Sequence, residues 1–354
     1  MRFIQVGVGG FGGNWVQRLA DSPSVEVVAL VDVSQAALTA ARNVGNYGEE
    51  ICFSTLNKAL KSVKADALVC VTPPEYHRQC VVQAMEAGLD VITEKPMADS
   101  LASCISILKT SLNTGRTCVV SQNYRYRPEL WTLARLIENG RIGSVGQVKI
   151  DFYMGVDFRG GFRHEMDYPL LIDMAIHHFD LIRFITGLDA VSVRGEAWNP
   201  AWSNYRGDCS SSLVFEMENG SRVVYNASWC AKGQFCDWNG NWQIEGSKGS
   251  ISYANKAITV HDVPRVYEVE KTTSVTAEEL EQTGQAYVLD DLISSVAQGT
   301  RPHTDVFDNI HSVSMVFAAV KAVRTGKRIP ILDKRVQQLI EEYDRIGRKE
   351  RKKT

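Results

Sequence analysis

Residues 2–13 read Arg-Phe-Ile-Gln-Val-Gly-Val-Gly-Gly-Phe-Gly-Gly, and this stretch decides the fold. An apolar strand over residues 2–8 runs into Gly7, Gly9 and Gly12 at the spacing G-x-G-x-x-G, with Gly10, Phe11 and Gly13 beside them. Between a strand and a helix, the first glycine makes a tight turn and the second lets the backbone approach a pyrophosphate. The third lets the helix close on the strand. The N–H groups and dipole of the helix start then meet the negative phosphates. A second apolar run, residues 25–31, ends at Asp32. This is about 20 residues past Gly12, where an acidic side chain binds the ribose diol of an adenosine. A carboxylate there repels a 2′-phosphate, and no Arg or Lys follows before Arg42, so the reading is NAD over NADP.

Outward from that turn, residues 1–123 alternate between strand and helix patterns. Strands are expected at 67–72, 90–93 and 117–121, and helices at 75–87 and 101–114, closed by Gly88 and Gly115. Such alternation implies a parallel sheet with helices on both faces. Beyond residue 124 the pattern changes. Strands at 145–153 and 190–198 are followed by hairpin pairs at 211–217 with 222–229 and at 242–245 with 250–253, joined through Glu-Asn-Gly and Gly-Ser-Lys-Gly. Helical periods cover 170–186, 286–297 and 308–324. The expected class is α/β: a doubly wound parallel sheet over 1–123, then an α/β domain over 124–354 with an open, mainly antiparallel sheet. The closing helix 308–324 is expected to pack back on the first domain.

A net charge of −2 on 354 residues gives no field for nucleic acid or an anionic membrane. Eight cysteines are scattered with no C-x-x-C pair, which reads as reduced, buried thiols of a cytoplasmic protein and not as disulfides or a metal site. The first residues form the strand of the glycine turn, not a signal peptide, and no run is read as approaching the length of a transmembrane helix. The charged tail 348–354 reads as a solvated, frayed end.

Two further motifs carry chemistry. Glu94-Lys95-Pro96 follows the strand at 90–93, on the edge of an open α/β sheet where ligands bind. Lys95 is therefore placed to meet a nicotinamide and its substrate, and Pro96 admits a cis peptide that would aim it. The second is Asp173-Met-Ala-Ile-His177-His178-Phe-Asp180. On a helix, residues 173, 177 and 180 share a face at i, i+4, i+7. Asp173 can then orient the His177 ring and stabilise its protonated form, the pairing of general acid–base catalysis. His178 reads as a packing or capping residue. The loop over 157–164 precedes this helix, with Arg159, Arg163 and His164 able to contact hydroxyls or a carboxylate. Five of the seven tryptophans lie between 198 and 242 and are read mainly as subunit-interface residues.

With these motifs the chain resembles the Gfo/Idh/MocA family of NAD(P)-dependent oxidoreductases over nearly its whole length. The resemblance rests on Gly7-x-Gly9-x-x-Gly12, Thr72-Pro73-Pro74-x-x-His77, Ala87-Gly88-Leu89-Asp90-Val91 leading into Glu94-Lys95-Pro96, Asn123-Tyr124-Arg125, Asp173-x-x-x-His177-x-x-Asp180, and Asn309. Pro74 stands where many relatives have Asn, and Ala175 where many have Gly. The resemblance implies a Rossmann domain, a second domain whose sheet forms the subunit contact of a homodimer or tetramer, and catalytic roles for Lys95, Asp173 and His177. Motifs and resemblance together assign the cofactor to Gly7, Gly9, Gly10, Phe11, Gly12, Asp32, Thr72, Pro73, His77, Glu94, Lys95, Pro96 and Gln122. They assign the substrate to Lys95, Tyr124, Arg125, Arg163, Asp173 and His177. The activity implied is hydride transfer between NAD and a secondary hydroxyl of a sugar, inositol or related polyol. Two alternatives stand beside it: an NAD-dependent glycoside hydrolase that oxidises its sugar transiently, and a non-catalytic NAD-binding sensor.

Overall fold

The computed structural model describes residues 1–158, 160–233 and 235–350, the side chains of 347–350 excepted. The chain falls into two compact units, Met1–Asn123 with Gly284–Ile310 and Lys334–Thr354, and Tyr124–Thr283 with His311–Asp333. The pattern change after residue 123 marks the hand-over between them. The stretches 284–310 and 334–354, which the sequence reading leaves with the second domain, belong to the first unit.

The first unit is built on six parallel strands: β1 (Arg2–Val6), β2 (Glu26–Val31), β3 (Cys52–Phe53), β4 (Ala67–Cys70), β5 (Asp90–Thr93) and β6 (Cys118–Val120). Their order is β3-β2-β1-β4-β5-β6, so the winding reverses beside β1. Ligands of such sheets bind outside the strand carboxyl ends at that switch point. Every residue of β4 is buried, as expected of a strand covered on both faces. Helices α1 (Gly12–Asp21), α2 (Gln35–Gly45), α3 (Leu56–Ser62), α4 (Pro74–Glu86) and α5 (Leu101–Thr114) connect the strands. Their ends follow local chemistry: Ser34, Thr55 and Ser100 side chains accept N–H bonds at three starts, and Pro74 opens α4.

The second unit holds α6 (Pro128–Glu138), β7 (Val145–Tyr153), α7 (Phe162–Glu165), a π-helical turn at Leu170–Met174, and α8 (Ala175–Thr186). Its sheet continues through β8 (Ala190–Trp198), β9 (Ser210–Met217), β10 (Arg222–Ser228), β11 (Asn241–Gly246), β12 (Gly249–Ala254), β13 (Ala257–Asp262) and β14 (Lys271–Val275). The chain then runs through α9 (Gly284–Gln298) and α10 (Val306–Thr325) to β15 (Ile329–Pro330) and α11 (Lys334–Glu350). The nine strands lie in the order β14-β13-β12-β11-β7-β10-β9-β8-β15. All pairs are antiparallel except β7 with β10. Along β9, β10 and β12 buried residues alternate with part-exposed ones, so one face of the sheet is core and the other is open.

Two expectations change. Trp229 and Trp242 are core residues at 1% and 2% exposure, whereas Trp198, Trp202 and Trp238 are exposed. Helix α10 is long and apolar enough to cross a membrane by length and composition, contrary to the reading that no run approached that length. Most of it is buried in the protein, including Ile310, Val313, Met315 and Ala319, as in a core helix. Residue 159 and the last part of the charged tail, 351–354, lie outside the described residues.

Candidate functional site

In the first unit the glycine turn is shaped by contacts that no side chain would permit. Gly7 sits at φ +82°, and a Cβ there would lie 2.6 Å from the Val71 carbonyl oxygen. A Cβ on Gly12 would lie 2.3 Å from the Gly7 carbonyl oxygen. The buried Gln5 amide braces the turn, donating from Nε2 to the carbonyls of Gly7 (3.0 Å) and Gly12 (2.8 Å). Helix α1 starts with no side chain capping it, and Phe11 at its N-cap is exposed. Asp32 reaches back to the turn. Its Oδ2 accepts from the Val8 N–H (2.9 Å) and the Gly9 N–H (3.3 Å), and its Oδ1 from the Ser34 N–H (2.9 Å). The carboxylate thus holds the turn together.

Three loops leave the carboxyl ends of the adjacent strands β4, β5 and β6. His77 lies between two of them, its Nε2 2.7 Å from the Thr72 carbonyl and its Nδ1 2.9 Å from that of Pro96, and a neutral ring donates to one of the two. Buried His77 thus lies between the segment at Thr72 and the one at Pro96. Glu94 is buried, its Oε1 accepting from Trp15 Nε1 (2.8 Å) and Gln285 Nε2 (3.3 Å), and its Oε2 from the Lys95 N–H (3.1 Å). The Lys95–Pro96 peptide is cis. Gln122, just past β6, is buried, and among the described residues neither of its amide atoms has a hydrogen-bond partner. A cradle that only glycine fits, an uncapped helix start and an unpartnered buried amide are a matched set for a dinucleotide, so the residues present fit NAD.

In the second unit Asp173 lies on the π-helical turn, where the Ala175 N–H bonds to the Leu170 carbonyl, and His177 lies on α8. The wider turn departs from the regular i, i+4 α-helical spacing assumed from the sequence. Asp173 Oδ2 accepts from Arg163 Nε at 2.6 Å. Arg163 also lies over the rings of Phe158 (4.7 Å) and Phe162 (4.5 Å). His177 is buried, and its ring stacks on Tyr124 at 4.0 Å between centroids and 15° between planes. Arg125 is also buried and forks onto Asp180, with Nε and Nη2 each 2.6 Å from a carboxylate oxygen. Asp180 accepts a further bond from Ser312 Oγ at 2.7 Å.

His178 is fully buried between two polar partners, 2.9 Å from Tyr225 Oη and 3.1 Å from the Trp238 carbonyl. Nε2 must carry the proton to donate to that carbonyl, so Nδ1 accepts from the tyrosine hydroxyl. Burial pulls its pKa down to about 4, so the ring is neutral at neutral pH. His164 stacks on Tyr205 at 4.8 Å. Among the described residues no group of three or more His, Cys, Asp or Glu is arranged to hold a metal ion.

The sequence reading did not single out Arg127 or Asn239. The Arg127 guanidinium lies 3.3 Å over the Tyr124 ring and bonds to Asn239 Oδ1. No local signal joins residues more than a hundred positions apart.

Two comparisons of sequence bear on this geometry. Residues 1–122 match the oxidoreductase family described as an NAD-binding Rossmann fold, and residues 130–252 match the GFO/IDH/MocA C-terminal domain. The uncharacterized protein y4oX of Sinorhizobium fredii is 30% identical over 98% of both chains. The inositol 2-dehydrogenase of Rhizobium meliloti is 24% identical over 94% of this chain and 99% of its own. Among solved structures, an oxidoreductase from Agrobacterium radiobacter in complex with NAD+, L-tartaric acid and magnesium superposes with a TM-score of 0.85. It is 19% identical and covers 94% of this chain and 98% of its own, a likeness of fold.

Proposed function

We propose, from the premise that this chain belongs to the Gfo/Idh/MocA family of NAD-binding oxidoreductases, that it moves a hydride between NAD and a secondary hydroxyl or ketone of a sugar, inositol or related polyol. The observation that carries the reading is Lys95 leaving the carboxyl end of β5, the edge at which such a sheet binds its ligands. Bound NAD supplies the hydride acceptor. The turn at Gly7–Gly12, with Asp32, orients the dinucleotide. In this reading His177 takes the hydroxyl proton on its imidazole. Asp173 favours the imidazolium that results, and Lys95 hydrogen-bonds the substrate oxygen and stabilises charge growing there. Lys95 and His177 can exchange the base role. Tyr124, Arg125 and Arg163 stand as substrate contacts from the sequence, although Arg125 and Arg163 each hold a carboxylate of their own unit.

The test is a panel of myo-inositol, aldoses and linear polyols with NAD and with NADP, followed at the nicotinamide absorbance. Net NADH from one class is expected. Release of an aglycone from a glycoside with no net NADH would replace this reading with the hydrolase, and inertness throughout with the sensor. A homodimer or tetramer through the open face of the nine-stranded sheet completes the proposal, and a monomeric mass by light scattering would overturn that part. All eight cysteines are free thiols, which supports a reducing compartment such as the cytoplasm.

A further inference from the structure

The Tyr124 ring has both faces in use. The imidazole of His177 covers one at 4.0 Å, and the guanidinium of Arg127 lies 3.3 Å from its centre. We infer that Tyr124 is a positioning residue, a plate clamped by Arg127 that sets the plane of the His177 imidazole. This goes beyond the role of substrate contact implied for it by family resemblance, and it rests on the proposed role of His177.

The clamp is anchored at three points within the second unit. The residue after Tyr124, Arg125, forks onto Asp180, which stands on the same helix as His177 and three residues beyond it. On the other side Arg127 bonds to Asn239. Asn239 is itself fixed, donating from Nδ2 to Tyr253 Oη at 2.6 Å, while its own N–H bonds to Asp237 Oδ1 at 2.8 Å. The adjoining Trp238 carbonyl takes the bond from His178, the next residue after His177. One turn over 237–239 therefore braces both the plate and the helix that carries the imidazole. Such bracing holds a proton-transfer group near the geometry it needs, and small misplacements are costly in turnover. Burial raises the Tyr124 phenol, which therefore stays neutral, although Arg127 beside its hydroxyl pulls the other way.

The role predicts an asymmetry between two substitutions. Tyr124→Phe keeps the ring and should lose far less kcat than a variant without it. Tyr124→Leu removes the plate and should lower kcat roughly 10–100-fold with KM changed far less. Turnover is read on the best substrate of the polyol panel. Independently of any substrate, proton NMR of the imidazoles, assigned through His177→Asn, should show His177 ring protons shifted upfield by the stacked phenol. That shift should persist in Tyr124→Phe and vanish in Tyr124→Leu. Unshifted His177 protons in the wild type, or wild-type kcat in Tyr124→Leu, would overturn the positioning role. A raised KM at constant kcat would overturn it in favour of a substrate contact. Full turnover in His177→Ala is a different failure: it would remove the catalytic assignment of His177 itself, while the NMR shift would still report the stack.

Discussion

At the glycine turn this chain offers its backbone, whereas at the 173–180 segment it offers side chains held by other side chains. The turn is made by residues 5–12 and 32, and its constraints are exclusions: a Cβ at Gly7 or Gly12 would collide with a carbonyl. The helix segment works by addition. Asp173 is met by Arg163, His177 by Tyr124, His178 by Tyr225 and Trp238, and Asp180 by Arg125 and Ser312. A backbone site is robust to its surroundings and intolerant of its own residues. A side-chain site depends on distant partners and can lose its chemistry while the helix stays folded.

That contrast can be broken most directly at the groups proposed to react. His177→Ala or Lys95→Ala should lower kcat by roughly 10²–10⁴ while NAD affinity, read by fluorescence titration, is nearly kept. A parallel loss of NAD affinity would show that binding and chemistry are not separable in this way.

The next effect is on stability. His178 is buried neutral, its pKa lowered from 6.5 to about 4 by burial. Between those values the unfolded chain binds the extra proton, so this group's contribution is fully present above about pH 6.5. It is lost as pH falls toward 4 and is level below that, with a total of about 3 kcal/mol. Denaturant midpoints across pH 4–7 should show this slope in the wild type and a flatter one in His178→Gln. Equal slopes would mean that His178 does not govern the acid limb.

At the turn, Gly12→Ala places a methyl against the Gly7 carbonyl and should weaken NAD binding by about 10–100-fold by calorimetry. Unchanged affinity would mean that the turn relaxes freely and the exclusion argument fails. The smallest effect is expected at Asp32. Asp32→Ala should narrow the NAD-over-NADP ratio by about tenfold, and a constant ratio would show that the carboxylate only braces Val8 and Gly9.

Legibility followed the same division. The strands at 90–93, 145–153 and 190–198 and the helix at 101–114 have the bounds read from the sequence, the helix because Ser100 and Gly115 mark its two ends locally. Strands β13 and β14 were not read from the sequence: Lys271–Val275 carries little apolar contrast, and in Ala257–Asp262 the alternation is limited to Ile258 and Val260, so each is fixed by pairing with a neighbouring strand. The π-helical turn before α8 was illegible because a 3.6-residue period was assumed where the backbone makes a longer bond. Arg125 was read as a substrate contact, and its place against Asp180 follows from packing alone.

By itself the amino-acid order determined the doubly wound sheet, the dinucleotide turn and the choice of Lys95, Asp173 and His177 as the groups to test. Each of these is encoded by residues within a turn or two of one another, through steric exclusion and periodicity. Tertiary structure alone decided that Arg163 would hold Asp173, that Tyr124 would lie under His177 with Arg127 across it, and that Gly284–Ile310 would return to the first unit. Those pairings join positions tens to hundreds of residues apart. They arise because buried charges and rings must find partners once the chain has collapsed, and local spacing carries no record of which partner will be near.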